Sequence, residues 1–408
     1  MDTAVARHYS DRKGLTFDER RKSDILALRE LNNWVKSELI LACVRPNDFV
    51  LDLACGKGGD LPKWKEARVG AYCGVDVALR SVRSDARSRY NLGKHKFPAA
   101  LFVADCFGAD LPRALLPAFG TFDVVSCQFA LHYAFATEAR ARRAIANVAA
   151  LLRPGGVFVG TTADADALVR KLRAARGARF GNDVYSVSFG AGGKVFPSER
   201  GPFGHAYSFT LSESVDGVEE YLVHQPTLVA LAAGEGLTLR LWSNFHAFTH
   251  ARLAARDDAR AAWTKRGLGG LAGPPPLGEE EGGADAVAPP ILTDDEWEVA
   301  GLYAVFEFVK EPADASSPPL RDTTGMVAQF IDPQDVRALT TSTRFTRCRT
   351  LTLCTPRCAA LPRTGSSWTS PREGRANTQR KRDANVAHPS LIRHSWRTHA
   401  EAVQPRGS

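Results

Sequence analysis

The chain has 408 residues, of which 44% are hydrophobic and 24% are charged. This composition is typical of an ordinary globular protein and excludes collagen, a coiled coil and wholesale disorder. At roughly 150 residues per domain, the length indicates two or three units, or one large unit with tails. No apolar run approaches the roughly 18 residues of a membrane-spanning helix, and the N-terminus lacks the apolar core of a secretory signal. We therefore expect an intracellular protein with reduced thiols and no contact with a membrane.

The formal net charge of +8 is concentrated in the C-terminal part of the chain. Residues 1–310 carry 38 Lys and Arg against 37 Asp and Glu, whereas residues 311–408 carry 15 against 8. Any contact of the folded part with nucleic acid is therefore expected to come from a local basic patch. The candidates for such a patch are Lys57, Lys63, Lys65 and Arg68.

The predicted elements alternate between helix and strand. Residues 21–42 have apolar positions three or four apart, which predicts an amphipathic helix. Short apolar runs then predict buried strands, at 49–54, 71–77, 100–105, 122–128, 156–162, 237–242 and 302–310. Continuous apolar strands separated by helical segments are typical of a doubly wound, mostly parallel sheet with helices on both faces. The last run alternates with period two, which predicts an antiparallel C-terminal strand.

Composition also predicts the domain boundaries. Residues 1–310 are expected to form the folded domain, in which a Gly/Pro-rich, flexible insertion at about 267–290 follows a helix at 250–266. From residue 311 onward Ser, Thr, Pro and Arg dominate, so 311–408 is predicted to be a basic, disordered tail. Three cysteines and three histidines in this tail match no standard zinc spacing, and we predict no metal site.

A glycine-rich turn follows the first predicted strand. The sequence VLDLACGKGGD, residues 50–60, places glycines where the backbone can approach a ligand and a helix N-terminus faces it. The second strand ends in Asp76, about 20 residues further on, where a carboxylate can bind ribose hydroxyls. Together these features predict a nucleoside site.

Three further residues distinguish this site from a dinucleotide-binding site. Asp52 precedes the turn, Lys57 lies within it, and Asp105 ends the third strand. The arrangement resembles the Rossmann-like, seven-stranded fold of class I S-adenosylmethionine-dependent methyltransferases. The resemblance implies that the turn around Gly56 holds the methionine part of the cofactor, that Asp76 holds the ribose, and that Asp105 meets the adenine amino group.

Several independent segments resemble the eukaryotic mRNA cap guanine-N7 methyltransferases. They are HYS (8–10), LRELNNWVKSELI (28–40), LDLACGKGGDLPKWK (51–65), SCQFALHYAF (126–135), LRPGGVFVGTT (152–162), FGNDVYSV (180–187), PFGHAYSFTL (202–211), VEEYLV (218–223) and LTDDEWEVAGLYAVFEF (292–308). They occur in the order of the family. The NNW-x-K and CQF-x-x-HY patterns and the final W-E-x-x-x-x-Y-x-V-F-x-F pattern are not general methyltransferase features.

This resemblance implies a nuclear enzyme that transfers a methyl group from S-adenosylmethionine to N7 of the guanosine cap of mRNA. The residues that it assigns to the cofactor are Lys36, Gly56, Asp76, Asp105, Gln128 and Tyr133. The residues that it assigns to the cap are Asn32, Asn33, His132, Glu220 and Tyr303. The implied partners are 5'-capped mRNA and, besides it, the guanylyltransferase, RNA polymerase II or a small activating subunit.

The chemistry of such a reaction is consistent with these residue types. A glutamate can accept from both N1–H and the N2 amino group of guanine, and an aromatic ring can stack on a base that gains positive charge. Guanine N7 carries a lone pair and no proton, so no general base is needed and catalysis is by positioning and electrostatics. We therefore predict no catalytic acid, base or nucleophile.

The residues taken without the resemblance leave alternatives open. The polar stripe at 29, 32, 33 and 36 could be a solvated helix face, and His132 could satisfy a loop backbone. The chain could also be a methyltransferase for another RNA or a small molecule, or a non-catalytic RNA-binding subunit.

Two departures from the family stand out. Ala54 replaces a usual glycine, which is tolerable only if Ala54 keeps a negative φ. HYS begins at residue 8, so we expect this chain to lack the long basic N-terminal extension of the family and the basic tail to substitute for it in recruitment.

Overall fold

The computed structural model describes residues 23–190, 194–196, 201–268 and 292–311, together with the backbone of a two-residue strand at 329–330. All of them belong to the first of two units into which the chain divides, residues 1–345 and 346–408. Most of the predicted insertion and nearly all of the predicted tail lie outside the described residues, so both stay predictions. Among the described helices, none is long and apolar enough to cross a membrane.

Two sheets organise the described residues. The strands, in chain order, are β1 (Phe49–Leu53), β2 (Ala71–Asp76), β3 (Ala99–Val103), β4 (Phe122–Gln128), β5 (Leu152–Ala163), β6 (Arg179–Gly181), β7 (Tyr185–Phe189), β8 (Ala206–Leu211), β9 (Val215–Tyr221), β10 (Leu237–Asn244), β11 (Tyr303–Lys310) and β12 (Gln329–Phe330). The main sheet has the order β10-β11-β5-β4-β1-β2-β3-β12, and β6-β7-β8-β9 form the second sheet. In the main sheet β11 is antiparallel to both of its neighbours and all other pairs are parallel.

The helices cover the main sheet. They are α1 (Leu26–Cys43), α2 (Leu61–Glu66), α3 (Arg87–Leu92), α4 (Leu111–Phe119), α5 (Glu138–Leu151), α6 (Ala165–Ala174), α7 (Gln225–Gly234), α8 (Phe245–Ala255), α9 (Asp257–Lys265) and α10 (Asp294–Ala300). A π-helical turn, Ser81–Ala86, runs directly into α3, and a 3-10 helix spans Leu131–Ala136.

The strands of the sheet centre are buried on both faces. Every residue of β1, β2 and β3 is buried. Successive side chains of a strand point to opposite faces, and accordingly Val50 belongs to one core cluster and Leu51 to the other. This double burial explains why these strands read as continuous apolar runs in the sequence.

The predicted doubly wound sheet with an antiparallel C-terminal strand is confirmed, with two additions. The seven predicted strands are present, and the short β12 extends the sheet beside β3. The second sheet, which is antiparallel throughout, was not predicted. In strands β7 and β8 buried and partly buried residues alternate, so the sequence of these strands lacks the continuous apolar run that predicted the strands of the main sheet.

Two predicted helices differ from the observed ones. Helix α1 begins at Leu26, and the predicted start at 21 and 22 lies outside the described residues. The prediction of one continuous helix over residues 250–266 was wrong. Arg256 has φ −139° and ψ 120°, and this extended residue separates α8 from α9.

Helix α1 is held in place by residues far away in the chain. Glu296, which is buried, accepts a hydrogen bond from the Leu28 backbone N–H at 3.0 Å and also completes a capping box with Thr293. Near the middle of the helix, the Trp34 indole donates to the Ala259 carbonyl at 3.1 Å. These contacts fix the orientation of α1, which carries three of the predicted site residues.

Candidate functional site

The carboxyl ends of parallel strands bring predicted site residues to one edge of the main sheet. The glycine turn follows β1, Asp76 ends β2, and Gln128 ends β4. Asp105 lies two residues beyond β3. In doubly wound sheets ligands bind at this edge, so the topology supports the predicted placement of the site.

Asp76 joins the second strand to the glycine turn. Its carboxylate accepts from the Gly56 N–H at 2.8 Å and from the Ala78 N–H at 2.7 Å. Burial raises the pKa of Asp76 above its usual value, although the backbone donors oppose the shift. Gly56 has φ +52°, and a Cβ added to it would meet no atom within 4 Å. The turn therefore leaves open space directly beside a fixed carboxylate.

Ala54 does not keep the negative φ on which its tolerance depended. Its φ is +55°, in the left-handed region where a side chain is strained. Its N–H donates to Cys106 Sγ at 3.3 Å, and the next N–H, of Cys55, donates to the Val75 carbonyl at 3.1 Å. The backbone on both sides is thus held by neighbouring strands, and the strain is retained.

Lys36 forms a buried ion-pair network with two residues of the turn and the helix that follows it. Lys36 Nζ lies 2.7 Å from Asp60 Oδ1, and Lys63 Nζ lies 2.8 Å from the same oxygen. Lys63 also donates to Asn33 Oδ1 at 3.0 Å. Burial acts to raise the pKa of Asp60, but the two ammonium groups outweigh it and hold that pKa well below its usual range.

This network corrects one sequence-based expectation. Lys63 was a candidate for an exposed basic patch, but it is buried and its charge is used by Asp60. Lys65 and Arg68 are exposed, as a patch requires. The reason is helical geometry, because α2 turns Lys63 towards α1 while Lys65 faces solvent.

The polar stripe of α1 is not a solvated face. Asn32, Asn33 and Lys36 are all partly buried. Asn32 Oδ1 is a buried acceptor that has no hydrogen-bond partner among the described residues. Lys36 Nζ also lies 5.9 Å from the centroid of the Phe129 ring. Buried polar atoms normally have partners, so the unsatisfied Asn32 oxygen is available to accept a hydrogen bond.

Asp105 is fixed by an arginine that the sequence analysis did not single out. Arg140 binds its two oxygens at 2.9 and 3.1 Å, and the backbone N–H groups of Phe107 and Gly108 each donate at 3.1 Å. Burial favours a higher pKa for Asp105, but Arg140 and the backbone donors lower it overall. Asp105 is therefore a rigid, ionised acceptor.

Gln128 and Tyr133 lie on either side of the turn after β4. Gln128 donates to Ser126 Oγ and accepts from Thr161 Oγ1, both at 3.2 Å, so its amide is oriented by the sheet. Tyr133 is partly buried on the 3-10 helix, and its ring centroid lies 4.2 Å from that of His132. The structure thus places both residues near the same strand end.

His132 and Glu220 meet in a buried contact between the 3-10 helix that follows β4 and strand β9 of the second sheet. Their closest atoms, Nε2 and Oε1, are 3.6 Å apart, and both residues are at least 95% buried. The Tyr207 hydroxyl donates to the other glutamate oxygen at 2.7 Å, because Tyr207 and Glu220 are direct cross-strand partners in β8 and β9. Burial lowers the pKa of His132, although the nearby Glu220 opposes this shift. Within the described residues, neither ring nitrogen has a hydrogen-bond partner.

Tyr303, at the start of β11, is surrounded by aromatic rings. Its ring centroid lies 5.0 Å from Phe129, 5.8 Å from Phe245 and 6.4 Å from Phe209. Only 9% of Tyr303 is exposed, so most of its surface packs against protein. Phe129 joins this aromatic group to Lys36, and Phe209 joins it to β8.

The comparisons with known proteins agree with this geometry. Residues 1–311 match the family described as mRNA (guanine-N(7))-methyltransferase domain. The chain belongs to this family. A rice relative, mRNA cap guanine-N(7) methyltransferase 1, is 47% identical over 311 residues, which cover 74% of this chain and 79% of the relative.

Further members of the family match a similar share of the chain. The Arabidopsis thaliana mRNA cap guanine-N(7) methyltransferase 1 is 45% identical over 312 residues, covering 74% of this chain and 80% of the relative. The Drosophila melanogaster mRNA cap guanine-N(7) methyltransferase is 35% identical over 333 residues, covering 75% and 76%. The matched region contains every site residue described above.

Sequence reasoning about the family motifs missed three residues that shape this site. Asp60 lies within the quoted glycine-turn motif. Its position between Lys57 and Lys63, just before the following helix, was the signal that could have found it. Tyr207 lies within another quoted motif, but its pairing with Glu220 follows only from the hairpin register. Arg140 carries no local signal, since it is one of several arginines at the start of α5.

Proposed function

We propose that this protein transfers a methyl group from S-adenosylmethionine to N7 of the guanosine that caps mRNA, giving 7-methylguanosine caps and S-adenosylhomocysteine. The observation that carries the proposal is the match of residues 1–311 to the cap methyltransferase family, because this region contains the whole site. The buried Glu220–His132 pair adds support from the geometry.

The residues present at the sheet edge fit the proposed cofactor. The open space beside Gly56 and the fixed carboxylate of Asp76 suit a nucleoside whose ribose hydroxyls donate to that carboxylate. Asp105 can accept from the adenine amino group, while Gln128 and Tyr133 line the pocket. When bound, the cofactor supplies a sulfonium-activated methyl group. Lys36 then pairs with the methionine carboxylate, next to its partner Asp60.

The Glu220–His132 pair offers groups that fit guanine. Tyr207 occupies one oxygen of Glu220 and fixes the carboxylate, so the remaining lone pairs can accept from guanine N1–H and the N2 amino group. Adenine cannot supply this pair of donors. The unsatisfied nitrogens of His132 and the unsatisfied oxygen of Asn32 provide further contacts for the cap, beside Asn33 and Tyr303.

Catalysis then follows from position and charge. Guanine N7 attacks with its lone pair, so the protein needs to remove no proton. Positive charge develops on the guanine, and the buried, negatively charged Glu220 stabilises it without reorganisation. Alignment of N7 with the methyl group by two rigid sets of contacts accounts for the rest of the rate enhancement.

The direct test is methyl transfer to GpppG-ended RNA, followed by nuclease digestion and identification of 7-methylguanosine. The matched substrate is the same RNA ended by ApppG, which we expect to remain unmethylated at the cap. Methylation of the RNA body or of small molecules alone would support a different methyltransferase. Binding of S-adenosylmethionine in calorimetry without any turnover would support a non-catalytic RNA-binding subunit.

The setting of the reaction is part of the same proposal. The substrate is 5'-capped mRNA, and the protein acts in the nucleus, where it works beside a separate guanylyltransferase, RNA polymerase II or a small activating subunit. Co-purification of these proteins with the full chain from nuclear extract would test this setting.

A further inference from the structure

Positive charge in the folded part of the chain is concentrated in two short segments, whereas residues 1–310 as a whole carry only +1. One segment, residues 170–179, carries five Lys and Arg and no Asp or Glu. The other, residues 77–98, carries six Lys and Arg against one Asp, a net charge of +5. We call the six cations the basic strip, and they are Arg80, Arg83, Arg87, Arg89, Lys94 and Lys96.

The basic strip faces solvent. Arg80, Arg83 and Arg87 are exposed along the π-helical turn and α3, and Lys94 and Lys96 are exposed in the loop that follows. Arg89 is partly buried. Long cationic side chains at this density favour a polyanion over an ordinary protein surface.

The strip packs directly against the glycine turn of the proposed active site. A Cβ added to Gly58 would lie 3.2 Å from the Ala86 Cα, so the π-helical turn touches the glycine turn. Lys57 Nζ pairs with Asp85 at 3.3 Å. A Cβ added to Gly59 would lie 3.7 Å from an Arg89 guanidinium nitrogen. The basic surface is therefore continuous with the edge of the site.

A small aromatic cluster holds the second half of the strip in place. The Tyr90 and His95 rings stack with centroids 5.4 Å apart, and Phe97 lies 5.2 Å from His95. The Tyr90 hydroxyl donates to the Phe97 carbonyl at 2.5 Å, and Lys65 Nζ donates to the Gly93 carbonyl at 3.0 Å. These contacts fix the loop that presents the two exposed lysines, which reduces the entropy lost when it binds a ligand.

We propose that the basic strip binds the phosphodiester backbone of the transcript just downstream of the cap. This inference rests on the proposed function, because the cap is what brings the transcript to this edge. An acidic protein would suit the same charges. RNA is favoured because its phosphates are covalently attached to the cap that the proposed active site holds, and their local concentration at that site is correspondingly high.

The test compares two sets of arginines that have the same charge and are both exposed. The strip variant carries Arg80→Gln, Arg83→Gln and Arg87→Gln. The control variant carries Arg170→Gln, Arg173→Gln and Arg176→Gln, whose wild-type residues are also exposed. These control residues lie at or just after α6, which follows β5, and β4 and β1 separate β5 from β2. Each variant is assayed for methylation of GpppG and for binding to a capped RNA of about 30 nucleotides.

The expected result is specific to long RNA and to salt. If each arginine neutralises one phosphate of a single strand, the strip variant loses about two units of the slope of log K against log salt. The ratio of the RNA affinity of the wild type to that of the strip variant should then be about 20-fold larger at 50 mM than at 200 mM salt. The KM for GpppG should stay unchanged in both variants, and the control variant should retain the wild-type slope.

Three outcomes would overturn the inference. They are an unchanged slope in the strip variant, an equal loss in the control variant, and normal RNA binding with reduced affinity for poly-glutamate. A second variant, Lys94→Gln with Lys96→Gln, tests the loop independently of the arginines. The slope of log K against log salt for this variant should fall by about 1.4 units. Failure of the wild type to methylate GpppG would instead refute the proposed function, so the two failures are distinguishable.

Discussion

Asp60 is the carboxylate on which two buried ammonium groups depend, and Asp60→Asn should therefore strongly destabilise the fold. The side chains of Asp60, Lys36 and Lys63 are 11%, 14% and 8% exposed, so water screens their charges poorly. The substitution keeps the shape but leaves two like charges without a counterion. Breaking such a buried pair costs about 3–5 kcal/mol. Urea unfolding at pH 7, followed by circular dichroism, measures the loss.

The pH dependence of this loss has a definite sign. The pKa of Asp60 is held below its unfolded value, so the carboxylate stabilises the fold fully above the unfolded pKa of about 4. This contribution is lost as the pH falls from there towards the folded pKa. The difference between wild type and variant should therefore narrow as the pH falls below about 4.

A double-mutant cycle tests the reasoning about paired charges. Lys63→Met removes one of the two ammonium groups, so Asp60→Asn should cost less in that background, by about 1 kcal/mol or more. The matched exposed control is Glu138→Gln, which breaks the solvent-exposed pair with Arg142 and should cost at most about 0.5 kcal/mol. Additive effects in the cycle, or an Asp60→Asn cost as small as the control, would refute the assignment of a desolvated network.

Three further predictions concern the site. Burial and the nearby Asp60 raise the pKa of Asp52 to about 7, so wild-type stability should fall as the pH rises from about 4 to 7, and Asp52→Asn should flatten that part of the stability curve measured in urea. Ala54→Gly removes a side chain from a residue with a left-handed backbone conformation and should raise the stability by about 0.5–1 kcal/mol. Gly56→Ala introduces a side chain at φ +52° and should lower the stability, and thermal unfolding of both variants measures the two changes. Glu220→Gln should lower kcat/KM for GpppG-RNA at least 100-fold, or about 3 kcal/mol, while calorimetry shows unchanged cofactor affinity; normal kcat/KM would remove Glu220 from guanine recognition.

Local patterns were sufficient for the sheet centre. The apolar runs 122–128 and 71–77 predicted β4 and β2 to within one residue, because strands that are buried on both faces show no polar alternation. The same reasoning failed for the second sheet, whose strands are half buried and short. It also failed at Arg256, where one extended residue divides a helical pattern that is otherwise continuous.

The sequence by itself determined which candidate site residues lie at the strand ends. Asp76 and the glycine turn could be located from it because chain order and strand direction place them together without any long-range information. Only the tertiary structure decided which charges are paired, since Lys36 and Asp60 lie on different elements and meet through the packing of α1 against α2. It alone brought Glu220 to His132, which is 88 positions earlier in the chain, because that contact depends on how the second sheet folds over the first. Such distant contacts depend on global packing, and no local spacing encodes them.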